Sequence, residues 1–226
     1  MKSLLNKIID YFFEKKRVKK KHKQLTNKEL INALSLGKLF IACIKSRNNN
    51  FASRMITKFS GPYSHVVAVW NSLNSVGNIG GDRCKALIRK MIDYYSDTTY
   101  LHCPKIIVLA SADENGMNYF DISEYQNREM TIFQIDTDKA DDIIHEFLSE
   151  KVMNMNYDYT GLVGQIFRKL GKWFYSLFDD ERAYYCSEQA EIFKRHGVKI
   201  ADHDEPTPTE IFNYCLKHYS IVYSNI

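Results

Sequence analysis

The stretch Pro62-Tyr63-Ser64-His65-Val66-Val67-Ala68-Val69-Trp70 decides how this chain is read. Every residue after His65 in it is apolar, and three are β-branched valines, so it reads as the strongest strand of the protein. Ser60-Gly61-Pro62 precedes it and breaks the helical pattern Phe51–Phe59, because glycine and proline both terminate helices. His65 therefore opens a strand directly after a chain break. Its ring is expected at a sheet end, facing a helix terminus.

Further strands and helices extend outward from this one. Gly37–Ile44 is a short apolar run suited to a strand, and Asn48-Asn49-Asn50 is a loop. Thr26 followed by Glu29 predicts a capped helix start. Downstream, Ile106–Ala110 and Met130–Ile135 read as two more strands, with Asp113-Glu114-Asn115-Gly116 as a turn between them. Asp138–Leu148 reads as a helix whose first acids suit its N-terminal dipole. Tyr157–Gly164 leads into a helix carrying Ile166, Leu170, Trp173 and Phe174. A helix after Cys186 is expected to close near Gly197, a good C-cap residue. Thr207-Pro208-Thr209-Glu210 supplies an N-cap, a first-turn proline and a capping glutamate for a last helix reaching about His218. Helices around a small antiparallel sheet make the fold α+β. Residues 71–104 form an insert, with a short helix over Cys84–Tyr95 and glycines at 77, 80 and 81 that lack P-loop spacing.

Composition bounds the function classes. A chain of 226 residues with 45% hydrophobic and 13% aromatic content supports one folded core, here residues 25–226. The net charge of +4 is unevenly placed, because the first two dozen residues hold a dense lysine cluster. Residues 1–24 read as a basic amphipathic helix, with Leu4, Leu5, Ile8, Ile9, Phe12 and Phe13 on one stripe. Such a helix either packs on the domain or binds an anionic membrane surface, where each lysine contributes about 1 kcal/mol. No aromatics interleave the lysines, so specific nucleic-acid readout is not expected. No apolar run approaches the length of a membrane span.

The cysteines at 43, 84, 103, 186 and 215 are odd in number and lack CxxC spacing. They point to free thiols in a reducing, cytoplasmic setting, and no metal site or cofactor is expected. Cys186, in Ala183-Tyr184-Tyr185-Cys186-Ser187-Glu188, is predicted in the first turn of its helix. Unpaired backbone N–H groups and the helix dipole favour a thiolate there and offer donors to an oxyanion. Cys43 and Cys215 fall on apolar patterns and read as core. Among seven histidines, His65 is the best placed base, with His102 next.

Tyr63-Ser64-His65-Val66-Val67, followed much later by Tyr185-Cys186-Ser187-Glu188, resembles the circularly permuted NlpC-like (YiiX-like) family of papain-like cysteine hydrolases. Gly37-Lys38-Leu39, Tyr157–Gly164 and the Thr207-Pro208 helix start match in order, so the resemblance spans about residues 35–215. It implies a permuted papain-like core. It also implies a nucleophile at Cys186 that attacks a carbonyl carbon, and a general base at His65. Tyr63, Ser187 and Glu188 become candidates for substrate binding, Glu188 also as a brace between helix and sheet. Three positions depart from the pattern: Lys38 stands for an aspartate, Gln189 for a leucine and Ala68 for a glycine. The residue that orients the histidine is sought on the following strand, where Ala110 or Ser111 falls, with Asp113 and Glu114 just beyond; Ser111 is the candidate.

The expected function is a cysteine peptidase or amidase cleaving an amide or ester through an acyl-enzyme. Two alternatives remain open at this stage. One is a lipid acyltransferase or acylhydrolase held at a membrane by residues 1–24, and the other a non-catalytic binding module on a degenerate hydrolase fold.

Overall fold

The computed structural model describes residues 34, 38–46, 57, 61–71, 106–113, 116–121, 125, 128–149, 152, 156–157, 183–184, 189–204 and 206–226. The expected helices over 2–24 and after Gly164, the cap at Thr26, nearly all of the helix over 51–59, the insert from residue 72 to 104, and Cys186, Ser187 and Glu188 lie outside them.

The central strand is β1 (Leu39–Lys45), apolar on both faces and buried at every residue to Ile44. It pairs antiparallel with β2 (Tyr63–Asn71) on one side and β5 (Met130–Ile135) on the other. Beyond β2 lie β3 (Ile106–Asp113) and β4 (Gly116–Asp121), and beyond β5 lies β8 (Ser220–Ser224). Among the described residues the order β4-β3-β2-β1-β5-β8 makes a six-stranded antiparallel sheet. A separate short parallel pair joins β6 (Asn156–Tyr157) to β7 (Ala183–Tyr184).

Alternation along the strands sorts the core into two clusters. Leu39, Ile41 and Cys43 of β1, Val66, Ala68 and Trp70 of β2, and Phe133 and Ile135 of β5 share one face. On that face pack α1 (Ala140–Phe147) through Ile143, Ile144 and Phe147, α2 (Gln189–Arg195) through Ile192 and Phe193, and α3 (Pro208–His218) through Ile211 and Cys215. Phe147 meets Phe193 edge to face at 6.0 Å, joining α1 to α2. The opposite face carries Phe40, Ala42, Ile44, Val67, Val69, Met130 and Ile132, covered by Leu34 and Tyr125. The α+β class and the antiparallel sheet stand as expected.

Two helix ends follow their sequence signals closely. Gly197, at φ 75°, ends α2, where Gly197 N–H bonds Lys194 O and Val198 N–H bonds Phe193 O, the pair of bonds of a Schellman cap. At α3 the Thr207 hydroxyl accepts from Glu210 N–H while the Glu210 carboxylate accepts from Thr207 N–H, with Pro208 in the first turn. The elements expected at Gly37 and Asp138 begin two residues later, at Leu39 and Ala140. The turn at 114–115 was expected to connect the strands at 106 and 130. Instead Asp113, the last residue of β3, pairs with Gly116, the first of β4, a strand the pattern did not predict. Strand β8 is likewise additional.

The start of β2 is fastened to α3. Gly61 takes φ 93°, and a Cβ there would lie 2.6 Å from Thr209 Oγ1, so only glycine allows this approach. The same Thr209 hydroxyl accepts the backbone N–H of Tyr63 at 3.2 Å.

Candidate functional site

His65 stands one row from the end of the β1–β2 ladder. It lies opposite Ile44, whose other neighbour is Met130 of β5. The next row pairs Lys45 with Tyr63, so Ser64 is an extra residue, a β-bulge on β2. The bulge inverts the usual alternation. Tyr63 and His65 are two apart and should share a face, yet they diverge. Tyr63 is buried in the helix-side core, stacked on Phe212 with ring centroids 4.0 Å apart. Burial pushes its phenol up to about 12, against a hydrogen bond with Thr131. Tyr63, a candidate for substrate binding from the resemblance, thus joins the helix-side packing. His65 follows Ile44 to the opposite face.

There the His65 Nε2 lies 3.0 Å from the Tyr125 hydroxyl, the rings tilted at 49°. Tyr125 is held in a tight turn in which Arg128 N–H bonds Tyr125 O at 2.8 Å. The Arg128 guanidinium donates onward to Lys45 O at 3.0 Å. One turn thus brings both a hydroxyl and a positive charge to the imidazole. Burial, and then the Arg128 charge, push the His65 pKa down to about 3 from its ordinary 6.5. The ring is therefore neutral at physiological pH.

The other described histidines have different surroundings. His145 is exposed on α1, His196 meets Glu146 at 2.6 Å, His203 lies 3.4 Å from Glu210, and His218 stacks on Tyr214. Cys43 and Cys215 are buried, and burial pushes the Cys215 thiol up to about 12, which makes it a poor nucleophile. Cys84, Cys103 and Cys186 lie outside the described residues, as do His22 and His102. Among the described residues no group of three His, Cys, Asp or Glu could hold a metal ion. No helix among them is long and apolar enough to cross a membrane.

Gln189, three residues after Cys186, is fully buried at the start of α2. Its Oε1 accepts from Ala68 N–H at 2.8 Å, and its Nε2 donates to Val66 O at 3.0 Å. The position explains the pairing. β3 runs beside β2 only from Asn71 to Ala68, where Leu109 is the last partner. Below that point the β2 edge needs hydrogen bonds from elsewhere, and the glutamine amide supplies one acceptor and one donor as a strand would. Ser111 follows two residues after Leu109 and pairs with Asn118 of β4.

Tyr125 and the pairing role of Gln189 escaped the sequence reading. The signal for Tyr125 is the register: residues just before Met130 must emerge at the end of β1 where His65 sits. No such signal exists for Gln189, because its partners are backbone atoms more than 120 residues away. Neither protein-family models nor curated proteins nor solved structures contain a match to this chain.

Proposed function

We propose that the chain is a cysteine hydrolase on a permuted papain-like core, with Cys186 as nucleophile and His65 as general base. The observation that carries this reading is the Gln189 amide on Val66 O and Ala68 N, which holds the helix following Cys186 beside the strand that carries His65. Three residues of chain reach about 10 Å when extended, enough to bring Cys186 from Gln189 to the neighbourhood of His65. Since α2 packs on one face and the imidazole lies on the other, Cys186 would meet the ring around the edge of β2 that Gln189 pairs.

A neutral imidazole is the form a base needs. His65 would take the Cys186 thiol proton as the sulfur adds to the carbonyl carbon of an amide or ester. The tetrahedral oxyanion would be met by backbone N–H groups near Cys186. Collapse would expel the amine or alcohol, protonated by the imidazolium, and leave a thioester on Cys186. A water deprotonated by His65 would then release the carboxylic acid and restore the thiol. The pair would begin as thiol and imidazole, since burial and Arg128 both oppose a standing imidazolium.

An acyl-donating, thiol-reactive probe tests the reading, with adducts located by mass spectrometry. Wild-type protein should carry a single fast adduct at Cys186 that disappears in Cys186→Ala. Equal labelling of the other cysteines, unchanged by that substitution, would remove the nucleophile.

A further inference from the structure

Resting on that hydrolase reading, we infer that Tyr125 is the positioning residue of the His65 base. Its hydroxyl accepts the Nε2–H, which leaves Nδ1 with the lone pair that takes the Cys186 proton. A general-base histidine needs one nitrogen protonated and held and the other open to the nucleophile. The opposite polarity, a hydroxyl donating to Nε2, would put the ring proton on Nδ1 and engage both nitrogens. The 3.0 Å separation fits a direct hydrogen bond.

The surroundings hold Tyr125 in place. Its side chain is only 8% exposed and belongs to the cluster of Ile44, Val67 and Met130. Its carbonyl is tied to Arg128 N–H. The far side of the turn is tied twice to Asn225, whose Nδ2 donates to Arg128 O at 3.0 Å and whose Oδ1 accepts from Met130 N–H at 2.7 Å. A hydroxyl on such a mount can fix a tautomer, as an orienting carboxylate or amide does elsewhere. It carries no charge, however, so it stabilises an imidazolium less than a carboxylate would. The orienting role expected at Ser111 passes to Tyr125.

Full-length protein labelled with 15N in histidine reports the His65 tautomer by NMR. The pH profile of iodoacetamide alkylation at Cys186 reports the base. Wild type should show the proton on Nε2. In Tyr125→Phe the two tautomers should mix and Cys186 alkylation at neutral pH should slow by roughly threefold to tenfold, the effect of one hydrogen bond. A wild-type proton on Nδ1, or a tautomer indifferent to Tyr125→Phe, overturns the positioning role alone. Cys186 alkylation that does not respond to His65→Ala overturns the hydrolase reading, a result separable from the first because the tautomer is read without the cysteine.

Discussion

A buried primary amide is costly unless each of its groups is paired, and Gln189 meets that condition with two backbone atoms of one strand. In sequence the residue stood out only as a polar substitute for leucine. Its burial points inward as leucine's would, but its function there is hydrogen bonding. Gln189→Leu keeps the volume and abandons Val66 O and Ala68 N–H, each left to bear a desolvation cost of about 1–3 kcal/mol. We expect urea denaturation to show a loss of about 2–5 kcal/mol, far above the usual effect of an amide-to-leucine change on a surface. Tyr125 was illegible for a different reason. A tyrosine ahead of a strand carries no mark of its partner until the strand's register is known. The strand that carries His65 was legible, by contrast, because a Gly-Pro break before a valine run marks a strand's start. The His65 ring, however, was expected to face a helix terminus and instead faces Tyr125 on the side of the sheet away from the helices.

At the scale of elements, legibility followed local chemistry. The helix start at Thr207 was readable because its cap, proline and glutamate act within four residues. Thr207→Ala should lower stability by about 1 kcal/mol in thermal or chemical denaturation, and Glu210→Ala by less, since the hydroxyl cap survives it. Strand β4 was missed because Gly116, Asn118 and Asp121 all have weak strand preference, and β4 forms only by folding back on β3. Strand β8 was missed because its residues are largely exposed, so no alternation of buried and solvated positions advertises it. The bulge at Ser64 could not be inferred either. Regular alternation would put Tyr63 beside His65, and only the observed pairing of Lys45 with Tyr63 separates them. That one extra residue divides β2 into a packing position and a site position.

For the molecule as a whole, the depressed His65 pKa sets an acid limit. An unfolded chain binds a proton at this ring with an ordinary pKa of 6.5, whereas the folded ring binds it only near 3. Unfolding therefore takes up a proton, and the stability this ring contributes is present above pH 6.5 and lost as pH falls towards 3. Glu146 adds a second acid-side loss. Although burial raises its pKa, the hydrogen bonds from Arg195 and His196 and their charges outweigh that and lower it below 4.5. Its contribution thus fades only beneath that value, below the window from 6.5 to 4.5 in which His65 acts. Between pH 7 and 4.5 the free energy of unfolding should drop by about 2–3 kcal/mol, and His65→Asn should flatten that slope. An equal slope in the variant would assign the acid response elsewhere. The clamp of Asn225 on the Arg128 turn has a consequence in time. His65 and Asn225 are 160 positions apart along the chain, and the turn bearing Tyr125 lies between them. No local fragment contains this neighbourhood, so it cannot form early from short-range contacts, and loop closures over such separations are slow. In a refolding experiment the imidazole's surroundings would mature with the last phase of sheet assembly, well after the helices have acquired their secondary structure.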